Sequence, residues 1–303
     1  CSTINFNWMT KKSLHFIVNP ISGTGKQGDI EHKISQIIDA ELFDSHIHYS
    51  TEKGHAVLIS KDLVAKKVDV IVAVGGDGTV NEVAQAMVNS STVLGIIPTG
   101  SGNGLARHLS IPQNVIKALS LVNTLNIKQI DSCTANKQFF MNVSGLGYDA
   151  HISHCFAKEK IRGMKTYVKL ILSEWWTYSV KNYKIHINES LVFEGEAVQI
   201  SFANGTQFGN NVIISPESID NDGEIELCIL KPFLFYEIPH LLLALATRRF
   251  HLHKRMQIIK CSSALIESDG AKLHLDGEPK DFESPLELNV LPKSIRIISN
   301  QLV

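Results

Sequence analysis

Along the first half of the chain, short apolar runs alternate with stretches whose apolar residues recur every third or fourth position. Residues 13 to 18 (SLHFIV) form an apolar run that ends at Asn19-Pro20. Ile30, Ile34, Ile37 and Ile38 then share one face of a predicted helix, with Asp29 placed to cap it. Residues 46 to 50 (HIHYS) alternate as a strand and lead to Thr51, and residues 55 to 65 predict a second helix. The run from Val68 to Val74, broken only by Asp69, predicts a buried strand. Val80, Val83, Ala84 and Met87 follow at helical spacing. Residues 93 to 97 (VLGII) predict another buried strand, with a helix from Leu105 to Leu109 after it. Strand alternating with helix predicts an α/β domain with a doubly wound, parallel sheet.

The second half changes period. Residues 127 to 130 predict a strand running into Asp131, and residues 139 to 149 (FFMNVSGLGYD) a buried strand. A long helix is expected from about Lys158 to Tyr178, with Ile161, Met164, Val168, Ile171, Leu172 and Trp175 on one face. From Tyr183 onward, short alternating runs cover 183–188, 197–203, 224–230, 256–261, 264–267, 272–275, 286–291 and 294–298. Asp269-Gly270 reads as a two-residue hairpin. These runs predict a C-terminal antiparallel β-sandwich domain. Residues 234 to 247 break the pattern with a helix of roughly 14 residues, too short to cross a bilayer. It leads into a basic cluster of Arg248, Arg249, His251, His253, Lys254 and Arg255, suited to a helix C-terminus and also to an anionic membrane surface. The expected division is residues 12–131 and 132–291, with residues from about 292 to 303 returning to the first domain.

Composition narrows the classes. At 303 residues, two domains are expected. A net charge of −1 and the absence of a basic stripe argue against a nucleic-acid partner. Five scattered cysteines without a CxxC pair point to reduced, cytoplasmic usage. No signal peptide pattern opens the sequence; Met9 is a candidate initiator, and residues 1–8 are left out of the fold reasoning.

The chemistry gathers in the loops that follow three strands. The central one is Gly75-Gly76-Asp77-Gly78-Thr79, between a buried strand and an amphipathic helix. Three glycines remove the Cβ atoms that keep a ligand off the backbone, and the helix opening behind them attracts anions. Asp77 adds a carboxylate suited to holding a cation or orienting a phosphate partner, and as a loop residue it is expected to contribute little to stability. The second loop is Pro98-Thr99-Gly100-Ser101-Gly102-Asn103-Gly104, also opening a helix. The first, Asn19-Pro20-Ile21-Ser22-Gly23, lacks Walker A spacing. In a parallel sheet these loops converge at the strand C-termini, where such sheets bind ligands. Donor-rich loops converging there predict a polyphosphate.

GGDGTVNE and PTGSGNGLA resemble the catalytic signature of the diacylglycerol kinase and sphingosine kinase family in its bacterial form, and NPISG resembles that family's first nucleotide loop. The resemblance covers the chain from Lys12 onward. It implies that ATP is bound by Asn19, Pro20, Ile21, Ser22, Gly23, Thr51, Gly75, Gly76, Asp77, Gly78, Thr79, Val80, Asn81, Glu82, Thr99, Gly100, Ser101, Gly102 and Asn103. Gly104 departs from the pattern, since bacterial diacylglycerol kinases usually carry an acidic residue there.

Further motifs gain meaning from the resemblance. Asp131 matches an acidic position of the family's polar network. Arg162 reads first as a surface arginine; the resemblance to sphingosine kinases offers it as a residue facing nucleotide phosphates instead. Residues 216 to 224 (PESIDNDGE) resemble a loop that holds a divalent ion, which implies Asp222 with the carbonyls of Ile219 and Glu224. Leu275-Asp276-Gly277-Glu278 matches the LDGE motif to which the catalytic base is assigned. Asp276 and Glu278 are thus the candidate catalytic residues, one accepting a proton while the other orients it. Read without the resemblance, the same four residues are an Asp-Gly hairpin turn. His151, His154 and Cys155 form a weak metal-ligand pattern. The expectation is an ATP- and Mg²⁺-dependent lipid kinase acting on a diacylglycerol-like lipid at a membrane surface, cytoplasmic or peripheral at its inner face. The rivals are a sphingoid-base kinase, an NAD kinase and an inactive lipid-binding protein. The oligomeric state is open, with a homodimer among the options.

Overall fold

The alternating half of the chain folds as alternating strand and helix: β1 (Lys12–Val18), α1 (Ile30–Ile37), β2 (Phe43–Tyr49), α2 (His55–Ala65), β3 (Val70–Gly75), α3 (Asp77–Gln85), β4 (Val93–Pro98) and the short α4 (Gly104–His108). A further helix, α5 (Val115–Val122), is capped by the Asn114 side chain, which accepts from the Lys117 N–H. This computed structural model describes residues 11–20, 29–159, 164–209 and 212–301. Ile21, Ser22, Gly23 and Arg162 lie outside the described residues. β1 pairs in parallel with β2 and β3, and β3 in parallel with β4. Every residue of β3 and β4 is buried, as strands covered on both faces require. Asp29 precedes α1 but makes no side-chain cap bond.

The rest is mostly strand: β5 (Ile127–Ala135), β6 (Gln138–Phe140), β7 (Val143–Gly147), α6 (Tyr148–Lys158), α7 (Met164–Glu174), β8 (Lys181–Ile187), β9 (Ser190–Ala197), β10 (Gln199–Ala203), β11 (Ile225–Leu230), α8 (Ile238–Ala246), β12 (Met256–Cys261), β13 (Ser263–Ser268), β14 (Leu273–Leu275), β15 (Glu278–Lys280) and β16 (Leu286–Ile298). One sheet is wholly antiparallel, in the order β12-β11-β10-β7-β14-β15. It packs through Leu146, Phe202, Leu227 and Leu273 against Ile185, Ile266 and Leu288 of the other sheet, forming the sandwich core.

That other sheet is continuous across both domains, in the order β2-β1-β3-β4-β16-β13-β8-β9. β16 makes the connection. Its first half pairs antiparallel with β13, and its last residues pair in parallel with β4, Arg296 opposite Val93. β5 runs antiparallel along both halves, with the register shifting between Leu291 and Ile295. Leu286, Leu288 and Val290 enter the sandwich core, while Ile295, Ile297 and Ile298 enter the α/β core. The two runs expected at 286–291 and 294–298 are therefore one strand.

Three local expectations are corrected. The apolar stretch 139–149 is divided between β6, β7 and the first turn of α6. Of the helix expected from Lys158 to Tyr178, the described residues hold α7, which ends at Glu174, and Lys158 instead ends α6. Asp269-Gly270 is no hairpin, because β13 and β14 lie in different sheets. The two-residue hairpin is at Asp276-Gly277, where β14 meets β15 with Leu275 opposite Glu278. Both central residues have positive φ, 48° and 85°, as a type I′ turn demands.

Candidate active site

β3 and β4 deliver their glycine loops side by side, and the two loops are in backbone contact. A Cβ on Gly100 would lie 2.5 Å from the Gly76 Cα, and one on Gly76 would lie 3.2 Å from the Gly100 Cα. The Thr99 N–H donates to the Gly75 carbonyl at 2.9 Å. A Cβ on Gly75 would collide with Thr79, 2.4 Å from its Cβ. Here glycine serves close approach between two loops, as well as any approach of a ligand.

Asp77 locks the pair. Its carboxylate accepts the N–H groups of Asn103 and Gly104, each at 2.8 Å. It therefore satisfies the opening of α4, where a phosphate was expected to be met by free N–H groups. This corrects the view of Asp77 as a loop residue of little consequence for stability. Burial, and secondarily the Asp276 charge, push its pKa from 3.8 to about 6. Between those values the folded protein holds more protons than the unfolded chain, so Asp77 makes stability fall as pH rises from about 4 to about 6. Asp77→Asn keeps one acceptor and turns an amide against the other N–H. It should lower stability by about 1–3 kcal/mol, the cost of an unsatisfied buried donor. It should also flatten that limb of the stability profile. Chemical melts from pH 4 to 7 check both effects, and an unchanged slope would remove Asp77 as its source.

The remaining nucleotide candidates divide. Asn19 donates from Nδ2 to Thr79 Oγ1 at 3.1 Å, tying the first loop to the central turn. Pro20 and Ser101 are exposed at the rim, and Thr99 is buried. Thr51 hydrogen-bonds His55 at the start of α2, and the Glu82 carboxylate accepts the Gly54 N–H at 2.9 Å. Glu82 thus holds the α2 entry, and Val80 is in the α/β core. Pro98, Thr99, Gly100, Ser101, Asn103, Arg107 and Gln113 line a cavity of about 180 Å³. Asn103 Oδ1 is buried in that lining without a hydrogen-bond partner. A buried orphan acceptor is what a ligand donor would satisfy. At Gly104 a Cβ would stand 2.5 Å from Asn142 Nδ2 and 2.7 Å from the Phe208 carbonyl, so an acidic side chain has no room here.

The β14–β15 hairpin brings the second domain to this turn. Asp276 Oδ2 accepts from Asn81 Nδ2 at 2.8 Å and from the Met141 N–H at 3.0 Å, and Oδ1 accepts from the Asn142 N–H at 2.9 Å. Burial raises its pKa against these donors. Glu278 reaches further: its Oε1 lies 3.4 Å from where a Gly78 Cβ would be, and its Oε2 pairs with the Lys53 ammonium. Asp276 is therefore a fixed joint between domains, and Glu278 is the carboxylate facing the glycine loop. The hairpin reading of these residues holds, and the two carboxylates have separate partners, Asp276 with Asn81, Met141 and Asn142, Glu278 with Lys53.

Several neighbours were not singled out by sequence reasoning. Lys53 is 225 positions from its partner, and no local pattern marks it. His274 accepts the Gly277 N–H at Nδ1, 3.1 Å, and its Nε2 lies 3.3 Å from Asp149 Oδ2, bracing the turn from behind. Ser144 Oγ accepts the Asp276 N–H at 3.0 Å. Asp149 was visible only as the last residue of FFMNVSGLGYD.

The candidate metal loop lies apart from the turn. Asp222 Oδ1 accepts the Glu224 N–H at 3.0 Å, and its Oδ2 is 3.7 Å from Lys260 Nζ. Ile219 is exposed. A divalent ion held by Asp222 and the carbonyls of Ile219 and Glu224 would share that carboxylate with Lys260 or displace it towards Glu226. Asp131 is wholly buried, with its oxygens on the N–H groups of Gly223 (2.7 Å) and Lys293 (2.6 Å). Sealed in this way, it is not placed to act as an alternative base. Asp220 nearby meets His108 and Lys128, which hold its carboxyl below the usual range despite burial.

Known proteins resemble this chain in sequence and fold. A family model described as the diacylglycerol kinase catalytic domain matches residues 13–135. Another, described as the YegS C-terminal NAD kinase beta sandwich-like domain, matches residues 142–299. A protein named "Probable lipid kinase YegS-like" from Pectobacterium atrosepticum is 30% identical over 260 residues, covering 82% of this chain and 84% of its own. The diacylglycerol kinase of Bacillus subtilis is 27% identical over 274 residues, covering 88% and 90%. The solved structure titled "Crystal structure of a putative diacylglycerol kinase from Bacillus anthracis str. Sterne" aligns with a TM-score of 0.79 at 26% identity, over 99% of both chains.

Proposed function

Because the chain belongs to the diacylglycerol kinase-like family of lipid kinases, we propose that it transfers the γ-phosphoryl group of ATP to the hydroxyl of a diacylglycerol-like lipid. The observation that carries this reading is the meeting of Glu278 with the Gly76–Gly78 turn. A carboxylate from one domain stands at the anion-binding turn of the other, which is where a base must stand if a hydroxyl is to attack a bound phosphate.

In this reading the adenosine end of ATP lies toward the Thr99–Asn103 cavity, and its phosphates lie over Gly76 to Gly78. Mg²⁺ bound with the nucleotide would neutralise charge on the phosphates. Both Asp77 oxygens and all of Asp276 are engaged within the protein, so Glu278 is the carboxylate of this group left to meet substrate. An arriving phosphate draws Lys53 off Glu278. The freed carboxylate takes the lipid hydroxyl proton as that oxygen attacks phosphorus, and ADP departs. Asn81 and Asp276 keep the two domains in register throughout.

The lipid is received at a membrane surface. Val168, Leu172 and Trp176 are exposed on and after α7, and Leu234, Tyr236 and Leu243 are exposed around α8. The two groups are joined through the stacked pair Trp175 and Phe233, 4.8 Å apart. Exposed apolar side chains on neighbouring elements suit contact with lipid. Among the described residues no helix is long and apolar enough to cross a membrane. Incubation with labelled ATP and Mg²⁺ against diacylglycerol, sphingosine, ceramide, monoacylglycerol and NAD tests the proposal. Label in phosphatidic acid is the expected result. Label in sphingosine would reassign the lipid, label in NADP would overturn lipid transfer, and no label in any acceptor would leave a binding protein.

A further inference from the structure

Away from the glycine loops, α6 and α7 bring together three groups that the kinase chemistry does not use. His151 and Cys155 are one helical turn apart on α6, and Glu174 closes from the end of α7. One ligand atom from each lies within 4.8 Å of the others, and all three residues are half-buried. His151 Nε2 is 2.9 Å from Glu174 Oε2 and 3.7 Å from Cys155 Sγ. Ligand bonds of about 2.0 to 2.3 Å in a tetrahedron place donor atoms roughly 3.3 to 3.7 Å apart. The His151–Cys155 separation matches such an edge, and the His151–Glu174 hydrogen bond would lengthen by about 0.4 Å to make room for the ion. His154, which the sequence pattern paired with His151, turns away to the Leu273 carbonyl at 3.0 Å. Glu174 takes its place, from 20 residues further along.

We propose that His151 Nε2, Cys155 Sγ and the Glu174 carboxylate bind a borderline-soft divalent cation of the Zn²⁺ type, with water as the fourth ligand. Nitrogen, sulfur and oxygen in this combination select zinc over magnesium. The site is therefore chemically separate from any metal that enters with ATP. It staples α7 to α6, the helix whose Ser153 hydroxyl holds the Gly277 carbonyl of the Asp276 turn.

Lys272 stands in the way and supplies the sharpest test. Its Nζ lies 3.0 Å from His151 Nδ1, which leaves the ring proton on Nε2, directed at Glu174. Metal binding needs that proton on Nδ1, so Lys272 must withdraw, and Cys155 must release its thiol proton to solvent. Glutamine at 272 would instead offer a carbonyl to the Nδ1 proton, the supporting contact that zinc-bound histidines use.

Co²⁺ and then Zn²⁺ are titrated into the full-length protein without nucleotide, the Zn²⁺ affinity being read by chelator competition. The wild type should develop a thiolate-to-cobalt charge-transfer band that Zn²⁺ removes. Cys155→Ser should lose the band, and Lys272→Gln should tighten Zn²⁺ by about 10- to 100-fold. Melts of both variants without metal confirm that they fold. The proposal is overturned if wild type and Cys155→Ser bind Zn²⁺ equally, or if Lys272→Gln binds it no more tightly than wild type.

Discussion

Glu278→Gln is expected to lower kcat by about 10²- to 10⁴-fold while leaving the melting temperature close to wild type. The amide keeps the shape and loses the basicity. The Glu278 side chain is 39% exposed, and its partner Lys53 is 78% exposed, so their pairing adds little to stability. The KM for ATP should not rise, because the loss falls on the transition state and Lys53 no longer has to leave a carboxylate to meet phosphate. Asp276→Asn makes the opposite contrast. Three donors converge on that carboxylate, two of them backbone N–H groups. An amide nitrogen there would oppose at least one of them, so this variant should lose stability and activity together. Steady-state rates and thermal melts on the two variants separate a base from a joint. Full turnover in Glu278→Gln would send the search for a proton acceptor elsewhere.

The second large effect is steric. Gly100→Ala should lower kcat/KM by about 10²-fold, the cost of displacing a site by roughly 1 Å. The added methyl would lie 2.5 Å from the Gly76 Cα and 2.8 Å from Asn103 Oδ1, and the first of these is backbone that cannot rotate aside. Gly76→Ala meets the same contact from the other side at 3.2 Å and should cost less. Nucleotide binding and turnover measured on both variants give the ranking. Equal, near-native activity would mean that the two loops move freely against one another.

What the sequence made legible follows from how local each signal is. The β3–α3 turn is readable because a strand buried on both faces must be apolar throughout and three glycines must follow it. The doubly wound sheet and the sandwich follow from a change of period that needs no knowledge of partners. α6 is harder to read because His151 and His154 occupy its polar positions while bonding to protein, so they look like loop residues. Asp269-Gly270 and Asp276-Gly277 are the same dipeptide, and only one is a hairpin. The difference is which sheet the next strand joins, a property of residues far away in the chain. Among the site residues, the glycines could be read from their own segment. The partner of Asp77 lies 26 residues away and that of Asp276 lies 195 residues away, so their roles as a lock and a joint could not.

β16 has a consequence for how this protein is made. A ribosome extruding the α/β half releases β4 with one edge unpaired, and the strand that joins this edge, at Val93 and Leu94, ends at Ile298. β5 likewise waits for the same strand along most of its length. Domains commonly fold one after another as they emerge, at about 5–20 residues per second. Here the first domain must hold an open, fully apolar edge for on the order of ten seconds or more at that pace. Such an edge is a template for pairing with other chains. The nascent protein is therefore exposed to aggregation over that interval, and a chaperone that shields β4 should raise the yield of native chain more than one acting after release.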